Sequence, residues 1–118
     1  MYLHADVTER IIAAFYQVYN TLGYGFLEKV YQGAMKIEMR ERGLIVAPQE
    51  PLEVRYKGEA VGDYFADFLV EGCVIVELKS VERLAAPHHA QLLNYLRATD
   101  IEVGLLLNFG PKPEVARK

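Results

Sequence analysis

The sequence predicts a single domain of the α/β (α+β) type, in which a mixed β-sheet is flanked by helices in the order α-α-β-β-β-α-β. Three observations predict this class: two amphipathic helical patterns at the start, three strand patterns separated by tight turns in the middle, and a helical pattern followed by a fully apolar strand. The chain has 118 residues, 52% of them hydrophobic and 25% charged, which is the composition of one compact domain.

Two helices are predicted in the first third of the chain. Asp6 is a candidate N-cap, and apolar residues follow it at helical spacing until Gly23. After a turn at residues 23–25, a second helical stripe starts at Leu27 and stops at Gly43. We expect these helices to pack against each other as a hairpin.

Three strands are predicted next. Residues 52–56 alternate between apolar and charged side chains, which is typical of a strand with one solvated face. Turns at residues 57–59 (KGE) and 71–72 (EG) bound a second strand at residues 60–70, and residues 73–80 (CVIVELKS) form the third. Because the turns are short, we expect the three strands to be antiparallel neighbours.

The last third predicts one helix and one strand. Residues 88–99 (HHAQLLNYLRAT) have helical spacing and follow a connector that contains Pro87. Residues 102–110 (EVGLLLNFG) form an apolar strand, and residues 111–118 (PKPEVARK) are expected to be a loose tail. Since no long linker divides the chain, residues 1–118 are expected to form one domain.

The composition argues against several classes of function. A net charge of −3 argues against a protein that coats nucleic acid by charge alone, although a local basic groove is compatible with it. The lone cysteine, Cys73, lies in an apolar stretch, which argues against zinc binding and thiol catalysis. The apolar runs are far shorter than the roughly 20 residues of a membrane span, and the N-terminus lacks a signal pattern. We therefore expect a cytoplasmic protein with no membrane partner, while 8 Tyr and 5 Phe would permit a homodimer or a protein partner.

Charged side chains end the third predicted strand. Glu77 and Lys79 are two residues apart and point to the same face. Asp67, on the preceding strand, faces roughly residue 76, and an offset of one residue would bring the two carboxylates together. Adjacent carboxylates repel each other unless one is protonated or a cation bridges them, and such sites suit Mg²⁺ or Mn²⁺. The alternative is an ordinary ion pair at a strand end beside a solvated acid.

The following helix carries two polar side chains on one face. Gln91 and Tyr95 are four residues apart, so both could hydrogen-bond to or stack against a bound group. The alternative is a tyrosine that packs the helix beside an exposed glutamine.

These motifs carry a family resemblance. Asp67, then Glu77-Leu78-Lys79, then Gln91 to Tyr95 on strand, strand and helix resemble the PD-(D/E)XK nuclease superfamily and its RecB-like branch, which has a Q-x-x-x-Y helix. Residues 25–31 (GFLEKVY) resemble the signature of the GxxExxY family within that superfamily. The resemblance covers residues 7–110 and implies a restriction-endonuclease-like core.

The resemblance implies roles for individual residues. Asp67 and Glu77 would bind Mg²⁺ or Mn²⁺ together with the backbone carbonyl of Leu78, and Glu28 would be an additional acid at the metal. Lys79 would orient or deprotonate the attacking water, or stabilise charge on the phosphate. The alternative for Glu28 is a residue favoured at a helix start by the helix dipole.

Residues that contact the substrate are also implied. Gln91 and Tyr95 would hold the metal's ligands or the nucleic-acid strand, and His88 would join them, although a surface residue at a helix start is the simpler interpretation of His88. Arg55 and Lys57, on the solvated face of the first strand, would form a track for phosphates or would be ordinary solvated charges. Basic residues of the second helix would extend that track: Lys29, Lys36 and Arg40.

The implied activity is metal-dependent hydrolysis of phosphodiester bonds in nucleic acid, with DNA expected more than RNA. One alternative is a catalytically silent module with a nuclease-like fold that binds nucleic acid or a protein. Another is hydrolysis of a different phosphoester, or a structural protein with an incidental acidic pocket.

Overall fold

The computed structural model describes residues 3–118 as three helices and five strands. In chain order, the elements are α1 (Ala5–Leu22), α2 (Glu28–Glu41), β1 (Val46–Tyr56), β2 (Glu59–Val70), β3 (Val74–Lys79), α3 (Ala86–Ala98), β4 (Val103–Phe109) and β5 (Pro113–Arg117). This is the predicted order with one strand added at the end. None of the helices in the described part of the chain is both long and apolar enough to cross a membrane.

The strands form one mixed sheet in the order β1-β2-β3-β4-β5. β3 and β4 are parallel and connected through α3, whereas every other neighbouring pair is antiparallel. α1 and α2 cover one face of the sheet, and α3 covers the other. The helices therefore pack on both faces of the sheet, which agrees with the predicted mixed sheet flanked by helices.

Aromatic side chains dominate the core beneath α1 and α2. Phe15, Tyr31 and Phe109 are almost completely buried, and the rings of Tyr31 and Phe109 stack with their centroids 4.0 Å apart. Burial of side chains of this size contributes on the order of 2 to 3 kcal/mol each. The core therefore holds α2 against the sheet.

The expectation of a loose tail was wrong. Residues 113–117 form β5, which pairs with β4 over register positions from Leu105↔Arg117 to Phe109↔Pro113. Glu114 accepts hydrogen bonds from the side chain of Asn108 and from the backbone N–H of Leu84. β5 pairs with the free backbone N–H and C=O groups along one edge of β4. It therefore covers an apolar strand whose edge would otherwise be exposed.

Two helix starts differ from the sequence-based prediction. α1 begins at Ala5 after His4, which has left-handed backbone angles (φ 56), so Asp6 lies in the first turn and is not the N-cap. Pro87 lies in the first turn of α3 and not in the connector. Proline is tolerated there because the first N–H groups of a helix have no partner within the helix.

β1 is longer than its alternating pattern indicates, because it begins at Val46 and continues through Pro48 and Pro51. An edge strand tolerates proline, since only one side of it pairs. Val46 packs beneath α1 and α2, whereas Leu52, an even number of residues later, packs beneath α3. Between these two residues, the alternation of side chains must therefore shift by one position, so that the strand changes which residues face each side of the sheet. The shift occurs where Gln49 has left-handed backbone angles (φ 52).

Candidate active site

The site forms where β2 and β3 diverge. Their pairing runs from Val70↔Val74 to Phe68↔Val76, so the next residues along the two strands are Asp67 and Glu77. The turn takes three residues, 71–73, and not the predicted two. The offset of one residue that would bring the carboxylates together is therefore present.

Asp67 is held in place by two hydrogen bonds. Its Oδ2 accepts the backbone N–H of Leu78 at 2.7 Å, and its Oδ1 accepts the Nε2 group of Gln32 at 3.0 Å. The residue is only 8% exposed. The N–H and C=O of a residue in an extended strand point to the same side, so the Leu78 carbonyl also faces Asp67.

Glu77 is buried on the neighbouring strand and accepts the hydroxyl of Tyr64 at 2.6 Å. Burial raises the pKa of the Glu77 carboxyl to about 8, and the negative charge of Asp67 adds to this effect. The hydrogen bond from Tyr64 and the positive charge of Lys79 oppose it. In the absence of a cation, Glu77 is therefore largely protonated at neutral pH.

Two tyrosines support Glu77. The rings of Tyr64 and Tyr95 stack with centroids 3.5 Å apart, so α3 reaches the site through Tyr95. Burial and the hydrogen bond to Glu77 raise the pKa of Tyr64 well above its usual range, which keeps its hydroxyl a donor. The predicted Tyr95 thus lies at the site and contacts Glu77 indirectly.

Glu28 and Lys79 complete the charged cluster. Glu28 is the first residue of α2. Burial, and to a smaller extent the negative charge of Asp67, raise the pKa of its carboxyl, whereas the positive charge of Lys79 lowers it. The preceding loop is tied to the end of β3, because the Phe26 carbonyl accepts the hydroxyl of Ser80 at 3.0 Å. Tyr31 holds the same loop by donating its hydroxyl to the carbonyl of residue 23 at 2.6 Å. The structure therefore brings Glu28 and Lys79 near the two strand carboxylates.

Other candidate residues lie outside this cluster. His88 uses its Nδ1 to accept the backbone N–H of Ala85, which caps α3, and Gln91 is exposed on that helix. Arg55 and Lys57 lie at the tip of the β1–β2 hairpin. Arg55 pairs with residue 60, and at about 3.3 Å per residue this point lies roughly 23 Å along β2 from Asp67.

Two residues of the site were not predicted from the sequence. Gln32 lies one helical turn after Glu28, and this spacing is a signal that could have identified it. Tyr64 had no such signal, because strand alternation predicts that it points away from Asp67. β2 also changes faces, because Ala66 packs beneath α3 whereas Phe68 packs beneath α1 and α2. This change brings the Tyr64 hydroxyl to Glu77.

The carboxylates fit a divalent cation of the Mg²⁺ type. Among residues 3–118, no three acidic, histidine or cysteine side chains gather closely enough to hold a metal by themselves. Mg²⁺ commonly binds through one or two carboxylates and keeps several waters. Asp67 and Glu77 meet this requirement, because a cation would offset the repulsion between them.

A mixed sheet flanked by helices, with paired carboxylates at diverging strands and a lysine two residues on, is typical of a nuclease-type domain. The chain belongs to the PD-(D/E)XK nuclease superfamily, whose family model matches residues 5–118. No curated protein and no solved structure matches the chain. Membership confirms the restriction-endonuclease-like fold and supports a nuclease-type function, and nucleases of this superfamily generally use divalent metals.

Proposed function

We propose that the protein is a Mg²⁺- or Mn²⁺-dependent nuclease that hydrolyses phosphodiester bonds of DNA in preference to RNA. We also assign it to the GxxExxY family and the RecB-like branch of the superfamily. The observation that carries the proposal is the pairing of two buried carboxylates, Asp67 and Glu77, with the nearby ammonium group of Lys79. Keeping both carboxylates ionised in a buried site is costly without a cation.

The metal ligands would be Asp67, Glu77 and the carbonyl of Leu78, with Glu28 as a further acid. When bound, the ion would lower the pKa of a water molecule and offset charge on the phosphate. The hydrogen bonds from Leu78 and Gln32 fix the orientation of Asp67 before any ligand arrives. Such preorganisation reduces the cost of binding.

Lys79 would act on the water and the phosphate. It projects from the end of β3, two residues after Glu77, and is half-buried. Its ammonium group would orient the attacking water and stabilise negative charge that develops on the phosphate oxygens. Tyr95 would support Glu77 through its stack with Tyr64, and the exposed Gln91 would contact the substrate strand.

Cleavage of end-labelled oligonucleotides tests the proposal. Single- and double-stranded DNA and RNA would be incubated with the purified protein in Mg²⁺, Mn²⁺ or EDTA. We expect cleavage of DNA in either metal and none in EDTA. Glu77→Gln and Lys79→Ala should each reduce the rate by roughly 100-fold or more, whereas the exposed-site variant Glu102→Gln should cleave at the wild-type rate.

Three results would overturn the proposal. Cleavage that persists in EDTA would not depend on a metal ion. Cleavage by Glu77→Gln and Lys79→Ala at the wild-type rate would come from another site or from a contaminating nuclease. Oligonucleotide binding without metal dependence and without cleavage would instead favour the catalytically silent module.

A further inference from the structure

A cleft of about 270 Å³ opens beside Asp67, between α2 and the β1–β2 pair. Its volume is roughly nine times the 30 Å³ that a water molecule occupies in the liquid, which is room for a sugar–phosphate unit. Besides Asp67, four polar side chains contribute to the lining: Lys29, Gln32, Lys36 and Gln49. The cleft is thus continuous with the candidate active site.

The two lysines are available to bind an anion. Lys29 and Lys36 are seven residues apart on one face of α2, or about 10 Å along the helix axis. Within residues 3–118, neither forms an ion pair. The only acid in the lining is Asp67, whose two oxygens already accept hydrogen bonds from Leu78 and Gln32.

Neutral amides complete the polar lining. Gln32 is fixed by its bond to Asp67, and Gln49 lies opposite Asp67 on β1 with left-handed backbone angles that residues other than glycine rarely adopt. Amides next to two unpaired ammonium groups match phosphate oxygens in charge and in hydrogen-bonding capacity.

The hairpin tip offers a poorer surface for phosphate. The guanidinium of Arg55 contacts the carboxylate of Glu53 at 2.5 Å and also donates to the carbonyl of residue 58. Glu59 and Asp63 add further negative charge to the same hairpin. The cleft lining, in contrast, carries two lysines and one acid, Asp67, so a nucleic-acid strand would encounter a more favourable local potential there.

We propose that this cleft binds the phosphates next to the scissile phosphodiester, with Lys29 and Lys36 as the residues that contact them. This inference rests on the proposed nuclease function. It makes α2, and not the β1–β2 hairpin, the element that guides the substrate. It also explains how a chain with a net charge of −3 approaches a polyanion.

The test measures binding separately from cleavage. Binding of a fluorescent single-stranded 20-mer would be followed by anisotropy in EDTA, over a series of KCl concentrations. Three double variants remove two positive charges each: Lys29→Ala/Lys36→Ala, Arg55→Ala/Lys57→Ala, and Arg97→Ala/Lys112→Ala as the control. Each phosphate contact contributes about 0.7 to the slope of log affinity against log salt for a single strand.

We expect the Lys29→Ala/Lys36→Ala variant to lose about 1.4 from that slope. If variant and wild type bind equally at 1 M salt, the variant should then bind roughly 25-fold more weakly than wild type at 0.1 M. The control should keep the wild-type slope, and Lys29→Arg/Lys36→Arg should restore it. Circular dichroism would verify that every variant is folded.

Binding and cleavage can fail independently. If wild-type protein binds with the expected lysine dependence but never cleaves, the nuclease function fails and the cleft assignment stands. If wild-type protein cleaves while Lys29→Ala/Lys36→Ala keeps the wild-type slope, the cleft assignment is overturned. A loss of slope confined to Arg55→Ala/Lys57→Ala, or no binding by wild-type protein even at low salt, would also overturn it.

Discussion

Replacing Glu77 with glutamine should stabilise the protein at alkaline pH. The pKa of this carboxyl is about 8 in the folded chain, against an ordinary value of 4.5. Between these values the folded chain retains a proton that the unfolded chain releases, so the free energy of unfolding falls as the pH rises. At 1.36 kcal/mol per pH unit, the whole interval amounts to at most about 5 kcal/mol.

Glutamine resembles the protonated form of Glu77. It cannot ionise, and its carbonyl oxygen can accept the hydroxyl of Tyr64. Its amide NH₂ group can donate a hydrogen bond to Asp67. We therefore expect wild type and Glu77→Gln to be similarly stable near pH 4.5. By pH 9 the variant should be the more stable by up to about 5 kcal/mol.

Urea unfolding followed by circular dichroism, in EDTA and from pH 4.5 to 9, measures the effect. The exposed-site variant Glu102→Gln is the matched control and should follow the wild-type curve. Mg²⁺ at pH 9 should stabilise the wild-type protein and leave Glu77→Gln nearly unchanged, because a ligand stabilises only the folded state that binds it.

Three results would refute parts of this reasoning. A wild-type free energy of unfolding that stays constant between pH 5 and 9 would show that Glu77 ionises without cost. Parallel curves for wild type and Glu77→Gln would show that another group causes the pH dependence. Equal stabilisation of both proteins by Mg²⁺ would place the cation away from Glu77.

Three further perturbations test the neighbouring contacts. Asp67→Ala should lower the free energy of unfolding by about 1 to 3 kcal/mol in urea titrations, because the buried N–H of Leu78 loses its acceptor; an equal loss in the exposed control Asp63→Ala would contradict this. The hydrogen bond from Tyr64 lowers the pKa of Glu77, so its loss in Tyr64→Phe should raise that pKa and move the midpoint of the pH–stability curve upward. An unchanged midpoint would contradict this prediction. Removal of residues 112–118 should lower the melting temperature and cause aggregation in size-exclusion chromatography, because the edge of β4 becomes exposed; a monomer with the wild-type melting temperature would show that β5 is dispensable.

Elements with strong local patterns were predictable. The helical stripes of α1 and α2 and the apolar runs of β3 and β4 are properties of short segments, so their existence and order follow from periodicity. Boundaries differed where tertiary context replaced a local rule, as at Pro87 in the first turn of α3. The missed strand, β5, has few apolar residues because an edge strand needs only one neighbour and one covered face.

Site residues were predictable where a motif places them on one element. Glu77 and Lys79 share a strand, and Glu28 starts a helix, so sequence spacing already relates them to their elements. Gln32 and Tyr64 belong to the site only through their hydrogen bonds to Asp67 and Glu77, which lie 35 and 13 positions away in the sequence, respectively. Contacts of this kind depend on packing between elements and leave no periodic signal.

The sequence by itself determined that the chain forms a mixed sheet flanked by helices, with Asp67 on one strand and with Glu77 and Lys79 at the end of the next. Only the tertiary structure decided that Asp67 lies beside Glu77, because a turn of three residues sets the register of β2 against β3. It also decided that Lys29 and Lys36 of α2 line a cleft beside Asp67, while Arg55 and Lys57 lie at the tip of the β1–β2 hairpin. The physical reason is that periodicity specifies how a segment folds, whereas strand register, the choice of which face of a strand is buried, and packing depend on contacts between segments distant in sequence.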